Sequence, residues 1–293
     1  MRYLPVLVLL LLGTVAWGQS VTTHTLRHGG LEREYLLYVP AAYDGSAAVP
    51  LLFNFHGYTS NARDQLGYGN FRPLADTANF IVVAPQGTKL EGRTHWNVGG
   101  WTYQSTVDDV GFTAALLDQL TEEYNVDERR VYATGMSNGG YMSFLLACQL
   151  SDRFAAVASV TGAMTPQTYA ACAPTHPTPV LQVHSTSDPV VPFTGAIWST
   201  PIDTVLKYWV TFNELPADPV RRSLPDADPS DGSTVEHFRY ADPARPVAVE
   251  HYRITNGGHT WPGTPFRAQP GVNRDFDATE VIWAFLSGYA LRE

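Results

Sequence analysis

Apolar positions along this chain change period several times, and each change marks an element. Residues 23–28 and 31–39 alternate apolar with polar and are separated by Gly29-Gly30, which reads as a two-residue hairpin. Tyr35, Leu37 and Val39 then share one face. Residues 49–55 break the alternation and are almost wholly apolar, as a strand covered on both sides in a parallel sheet must be. The run 81–85 has the same character, and the stretches 131–134, 154–160, 179–184, 234–240 and 247–254 complete the predicted strands. Helices are expected between them, over 74–80, 108–124, 141–150, 204–212 and 281–289. In 108–124, Val110, Ala114, Leu117 and Leu120 fall near one face, and Asp108 and Asp109 load the positive end. Asp203 reads as a helix cap, and Asp277 with Glu280 as a capping box. Residues 86–106 read as an irregular loop holding Trp96, Trp101 and Tyr103, and 216–232, rich in Pro and Asp, as a surface loop. Strand and helix alternate through the middle. The expected class is therefore α/β, with a mostly parallel central sheet, antiparallel N-terminal strands and helices on both faces.

The first eighteen residues stand outside this pattern. Arg2, an apolar run over 4–15 and the small residues of Ala16-Trp17-Gly18 read as a signal peptide cleaved before Gln19. A retained N-terminal anchor is the alternative, although the run is short for a membrane span. Residues 19–293 are then expected to form a single domain, secreted or periplasmic, with no membrane association after cleavage. The formal net charge of −9 argues against a nucleic-acid partner, whose phosphates need a basic face. Export changes the reading of Cys148 and Cys172: an exported chain with two cysteines usually pairs them. Two separate buried thiols are the alternative. No Cys-x-x-Cys spacing offers a zinc or redox site. Asp226, Asp228 and Asp231 lack the glycine and closing glutamate of a calcium loop at the right places. No metal and no cofactor are expected.

Candidate chemistry starts at Gly135-Met136-Ser137-Asn138-Gly139, between the strand at 131–134 and the helix at 141–150. Gly-x-Ser-x-Gly in a strand-to-helix turn is the nucleophile elbow, which exposes the serine hydroxyl at its apex. The helix N-terminus beside it favours a developing anion. In such a sheet reactive groups gather beyond the carboxyl ends of the strands, and two more loops there carry suitable groups. Asp188 follows the strand at 179–184, and His259 follows the strand at 247–254. A serine needs a base within hydrogen-bond reach, an imidazole is suited to that near ambient pH, and a carboxylate fixes the imidazole tautomer. The chain order Ser, Asp, His is that of the α/β-hydrolases. His184 lies too near Asp188 on one strand end to be its partner across a site. His24, His28, His237 and His251 fall on predicted strands, and His56, His95 and His176 read as structural. The oxyanion donors are expected to be the amides of Asn138 and Tyr58.

Residues 52–58, 108–112, 135–140, 184–192 and 257–263 together resemble the secreted feruloyl esterase and polyhydroxybutyrate depolymerase branch of the α/β-hydrolases. Gly257-Gly258-His259-Thr260-Trp261-Pro262-Gly263 is the most specific part, and the likeness covers nearly the whole mature chain. The resemblance implies an α/β-hydrolase fold and a serine esterase with Ser137, Asp188 and His259 as its triad; a Cys148–Cys172 disulfide also fits that branch. Ser185 departs from it, since a glycine commonly follows this histidine, and a small local change with intact chemistry is expected. Trp261 beside the base, with Trp101, Trp96, Tyr58 and Phe193, is expected to wall a substrate pocket. Aromatic walls suit a cinnamoyl ring or a hydroxybutyrate chain equally. Added polymer-binding domains are common in that branch's depolymerases and this chain has no room for one, which tilts the expectation towards feruloyl-type or other small soluble esters. A polyester depolymerase or an acetylxylan-type esterase is the alternative, and a catalytically silent binding protein on a hydrolase frame a more distant one.

Overall fold

The N-terminal strands pair as the alternation predicts. In the computed structural model, which describes residues 20–266 and 270–292, β1 (Val21–His28) and β2 (Leu31–Tyr38) form an antiparallel hairpin. Gly29 and Gly30 turn it with φ of +56° and +80°, the positive-φ pair that matches the twist of the strands. The expected leader and its cleavage point lie outside the described residues.

The chain continues through β3 (Val49–Phe55), α1 (Ala62–Tyr68), α2 (Arg72–Ala78), β4 (Ile81–Pro85), a small hairpin β5 (Thr88–Leu90) and β6 (Arg93–His95), and α3 (Asp109–Glu123). It then forms β7 (Val126–Met136), α4 (Asn138–Gln149), β8 (Ala156–Val160), α5 (Pro166–Ala171), β9 (Val180–Ser185) and α6 (Ile202–Phe212). It closes with β10 (Val220–Ser223), β11 (Thr234–Ala241), β12 (Ala248–Thr255) and α7 (Ala278–Leu286). Ten strands join in one sheet, ordered β1-β2-β4-β3-β7-β8-β9-β12-β11-β10. The centre from β4 to β12 is parallel. Both margins are antiparallel, the far one through β11 and β10.

The continuous apolar strands are buried on both faces, and their side chains divide between two cores. Leu51, Phe53, Val131 and Ala133 pack with Phe112 of α3, Tyr141 of α4 and Trp209 of α6. Their neighbours Leu52 and Tyr132 pack with Leu66 of α1, Ala75 of α2 and Ile282 of α7. The period of two along each strand thus places helices on both sides of the sheet. The parallel strands all deliver their loops to one edge, where the candidate residues lie.

Several local expectations are corrected. Residues 86–106 contain the β5–β6 hairpin, and 216–232 contains β10, an edge strand with every residue exposed. Neither α1 nor α5 is visible as a periodic run. In α3 the buried positions are Asp109, Phe112, Thr113, Leu116, Leu117 and Leu120, whereas Val110 and Ala114 are only partly covered. Asp109 is buried there because Arg33 donates to its Oδ1 at 2.6 Å and the Asn97 amide to its Oδ2 at 2.7 Å. Pro201 caps α6, and Asp203 sits in its first turn. Asp277 caps α7 by accepting from the Thr279 amide at 2.7 Å, and the helix ends at Leu286 rather than running on to Tyr289.

Cys148, near the end of α4, is joined by a disulfide to Cys172, the residue that ends α5, with Cα atoms 4.7 Å apart and a sequence separation of 24. The bond therefore braces the helix that starts at Ser137. Replacing both cysteines (Cys148→Ser with Cys172→Ser) should lower the unfolding free energy by about 3–4 kcal/mol on the loop-entropy model. Urea denaturation reads the change; an unshifted midpoint would mean that the bridge restrains nothing.

Candidate active site

The first candidate side chain is placed by close packing. A Cβ on Gly135 would stand 2.5 Å from the carbonyl oxygen of Phe55, and one on Gly139 only 2.1 Å from it. With glycine at both places α4 can begin against the end of β3. Ser137 caps the helix at φ +54°, ψ −120°, a conformation that non-glycine residues rarely adopt and that persists only where the surroundings enforce it. Its amide donates to the Val160 carbonyl of β8 at 2.8 Å. Asn138, first in the helix, is fixed through its side chain, which accepts from the Trp96 amide at 2.7 Å and donates to the Trp96 carbonyl at 3.2 Å. Its own amide belongs to the first turn, whose N–H groups have no partner within the helix.

Asp188 and His259 come from separate loops and meet. His259 Nδ1 lies 2.8 Å from Asp188 Oδ2. The other carboxylate oxygen accepts from the amides of Val190 and Val191 at 2.8 and 2.9 Å. An ionised carboxylate only accepts, so the bond fixes the proton of a neutral His259 on Nδ1 and leaves Nε2 as the basic nitrogen. Burial pushes the Asp188 carboxyl up, but the His259 hydrogen bond, the electrostatic pull of the His259 and His184 rings and the Val191 amide outweigh it and hold it below the usual range. Ser185, the departure from the family pattern, links the two loops: its hydroxyl donates to the Gly257 carbonyl at 2.7 Å and accepts from the Ser187 amide at 3.1 Å.

Ser137 and His259 open on one cleft of about 200 Å³, lined also by Gly57, Tyr58, Ser60, Tyr68, Met136 and Trp261. The structure thus brings together Ser137, Asp188, His259, Tyr58, Asn138 and Trp261. Trp261 reaches the cleft with little of its surface, being 1 % exposed. It packs between Tyr68 and Phe71 and donates to Thr279 Oγ1 at 3.1 Å. Trp101 is not brought to the cleft wall. It stands edge-on to Tyr141 and Trp198, at 4.9 and 5.1 Å between ring centroids. Trp96 is buried against Phe55 and His56, and Phe193 lies over His251. These aromatics found better partners in the core than in the cleft. Sequence reasoning missed Ser60, Tyr68 and Met136; Tyr68 lies on α1, whose single buried leucine gives no periodic signal. A larger hollow of about 570 Å³ lies at the opposite end of the strands, around Pro179 and Tyr289, and holds none of these groups.

His56 is structural, as expected. Nδ1 donates to the Gly57 carbonyl at 2.8 Å and Nε2 accepts from the Gly87 amide at 2.9 Å. Burial, against the raising effect of the Gly57 bond, pushes its pKa down to about 4. Among the described residues no cluster of His, Cys, Asp or Glu is arranged to hold a metal. Asp228 and Asp231 are engaged with Ser230, Ser233 and Arg274. No described helix is long and apolar enough to cross a membrane.

The profile of the esterase PHB depolymerase family matches residues 33–204, and the chain belongs to that family. It is 32% identical to NocK of Nocardia uniformis subsp. tsuyamanensis, which bears the name of an esterase, over 92% of this chain and 83% of that one. It is 30% identical to feruloyl esterase C of Emericella nidulans over 56% of this chain and 58% of the relative. The chain therefore spans less than two thirds of that feruloyl esterase, although it spans most of NocK. The acetyl xylan esterase of Aspergillus awamori superposes with a TM-score of 0.64, at 14% identity, over 91% of this chain and 99% of that structure. The fold is the α/β-hydrolase fold.

Burial holds the His56, His184 and His251 rings neutral, since it pushes all three pKa values below the ordinary value. As pH falls the unfolded chain takes up these protons first, so their contribution to stability is whole above about pH 6.5 and fades below it; for His56 the loss runs down to about 4. The Asp188 carboxyl is depressed, so its contribution is whole above the ordinary carboxylate value and is lost as pH falls from there through its lower folded value. The thermal midpoint should drop steadily from about pH 7 to about pH 5; a flat profile would contradict the neutral assignments.

Proposed function

We propose that this chain is an exported serine carboxylic-ester hydrolase working through an acyl-enzyme, with a cleaved leader over 1–18 and one catalytic domain over 19–293. The observation that carries the reading is that Ser137 and His259 share one cleft while the far nitrogen of His259 is bonded to buried Asp188. The Ser137 hydroxyl attacks the ester carbonyl and passes its proton to His259 Nε2. The carbonyl oxygen becomes an oxyanion held by the amides of Asn138 and Tyr58. His259 then gives the proton to the departing alcohol, leaving an acyl group on Ser137. Water repeats the sequence: His259 takes its proton, the hydroxide adds to the acyl carbon, and Ser137 leaves with the proton returned. The disulfide supports export to an oxidising compartment.

A feruloyl-type acyl group suits the cleft. Tyr58, Tyr68, Trp261 and Met136 supply apolar and aromatic walls, and the hydroxyls of Ser60 and Tyr68, 3.3 Å apart, can meet a polar ring substituent. The small volume favours a second reading, a short acyl group such as acetyl on xylan. A panel of methyl ferulate, hydroxybutyrate oligomers and acetylated xylan separates these from a polyester depolymerase.

With p-nitrophenyl acetate, Ser137→Ala should lower turnover by at least about 10³-fold, and Asp188→Asn should do so by about 10⁴-fold while the protein stays folded. Equal activity of wild type and Ser137→Ala would remove the enzyme reading. Tyr68→Phe should reduce kcat/KM for methyl ferulate by about 2–10-fold, the worth of one hydrogen bond, and leave methyl cinnamate, which has no ring hydroxyl, unchanged. An equal loss on both esters would mean that the Tyr68 hydroxyl does not read the ring.

A further inference from the structure

Asp188 faces two histidines. His259 takes the hydrogen bond; on the other side His184 Nε2 stands 3.7 Å from the same Oδ2, with both side chains buried. The orientation of the His184 ring is fixed. The Gln182 amide nitrogen lies 2.8 Å from the Gly162 carbonyl and 3.1 Å from His184 Nδ1. That nitrogen only donates, so His184 Nδ1 is an acceptor and the ring proton sits on Nε2. Nε2 donates to the Val191 carbonyl at 2.9 Å. The amide of the same Val191 donates to Asp188 Oδ1 at 2.9 Å. One imidazole thus holds the turn that carries the carboxylate and turns a positive N–H edge towards it.

We propose that His184 is a positioning residue for the acid. It anchors the 188–191 turn through Val191 and keeps the Asp188 charge aimed at His259, with the proton affinity of the carboxylate low. This rests on the Ser137, His259 and Asp188 reading above. The other ionisable groups around His184 are His259 across the carboxylate, and His251 and Arg253 on β12, where Arg253 is paired with Glu236 at 2.6 Å. A buried His184 stays neutral among them, so it acts as a dipole and needs no charge. Placement of a reacting group by such an outer partner is sensitive to small displacements.

The test compares His184→Leu, which removes the N–H edge, with His184→Gln, which keeps an amide N–H at similar reach. Hydrolysis of p-nitrophenyl acetate is followed from about pH 5.5 to about pH 9. His184→Leu should lower kcat about 10–100-fold, with KM changed by less than about twofold. It should also move the acidic limb of kcat/KM to higher pH, because a carboxylate that lacks this N–H edge holds the His259 proton more tightly. His184→Gln should recover kcat to within about threefold of wild type and return the limb. A folded His184→Leu with wild-type kcat and limb overturns the proposal, and so does a loss that His184→Gln does not recover. If His184→Leu does not fold, Gln182→Met decides. Removing the donor that fixes the His184 tautomer should shift the limb in the same direction by less, and an unmoved limb overturns the proposal. Ser137→Ala as active as wild type overturns this proposal together with the serine reading. Activity lost in Ser137→Ala but unchanged in His184→Leu overturns this proposal alone.

Discussion

The carbonyl oxygen of Phe55 occupies the space that Cβ atoms at Gly135 and Gly139 would need. Around that contact β3, β7 and α4 are locked together closely enough to hold Ser137 at a backbone conformation worth about 1–3 kcal/mol of strain. The strain is sustained by the packing on every side: the Val160 carbonyl on the Ser137 amide, Trp96 on the Asn138 side chain, and the disulfide at the far end of α4. Trp96 in turn precedes Asn97, whose amide is bonded to buried Asp109. A rigid apex therefore rests on a chain of contacts that starts in the core and ends at the hydroxyl.

The second half of the site is electrostatic and comes from another part of the sheet. β9 and β12 are parallel neighbours, so the loops after them emerge side by side, and Ser185 ties one to the other through Gly257. Burial of Asp188 would by itself favour its neutral form. Two backbone amides and the imidazole edge of His259 restore the charged form. The carboxylate is thereby kept ionised in a site that excludes most water, where its orientation of His259 is worth more than it would be in solvent.

Much of this was legible in the sequence because it follows from local rules. Continuous apolar runs gave the central strands, Gly29-Gly30 the hairpin, and the spacing of glycines around Ser137 the elbow. Illegible parts are those that tertiary contact decides. In α1 the buried side chains are Ala62, Gln65 and Leu66; Gln65 is inside because its amide donates to Asn54 Oδ1 at 2.6 Å, a partner eleven residues back on β3 that no period reveals. β10 is exposed throughout and exists by pairing with β11. Trp101 reads as a pocket wall because it is aromatic and lies in a loop beyond a strand end, yet its ring stands edge-on to Tyr141 and Trp198. The second histidine at Asp188 was set aside on sequence distance alone. Its side chain reaches the carboxylate because the turn after β9 folds back over the strand end.

The proposed mechanism requires the Ser137 hydroxyl to be made reactive by its surroundings. Labelling the folded protein with a fluorophosphonate and mapping the adduct by peptide mass spectrometry tests this most directly. One phosphonyl group on Ser137, formed in step with the loss of esterase activity and absent when the protein is first unfolded in urea, is the result the account predicts. Full inactivation with the label on another residue, or undiminished hydrolysis with Ser137 fully labelled, would contradict it.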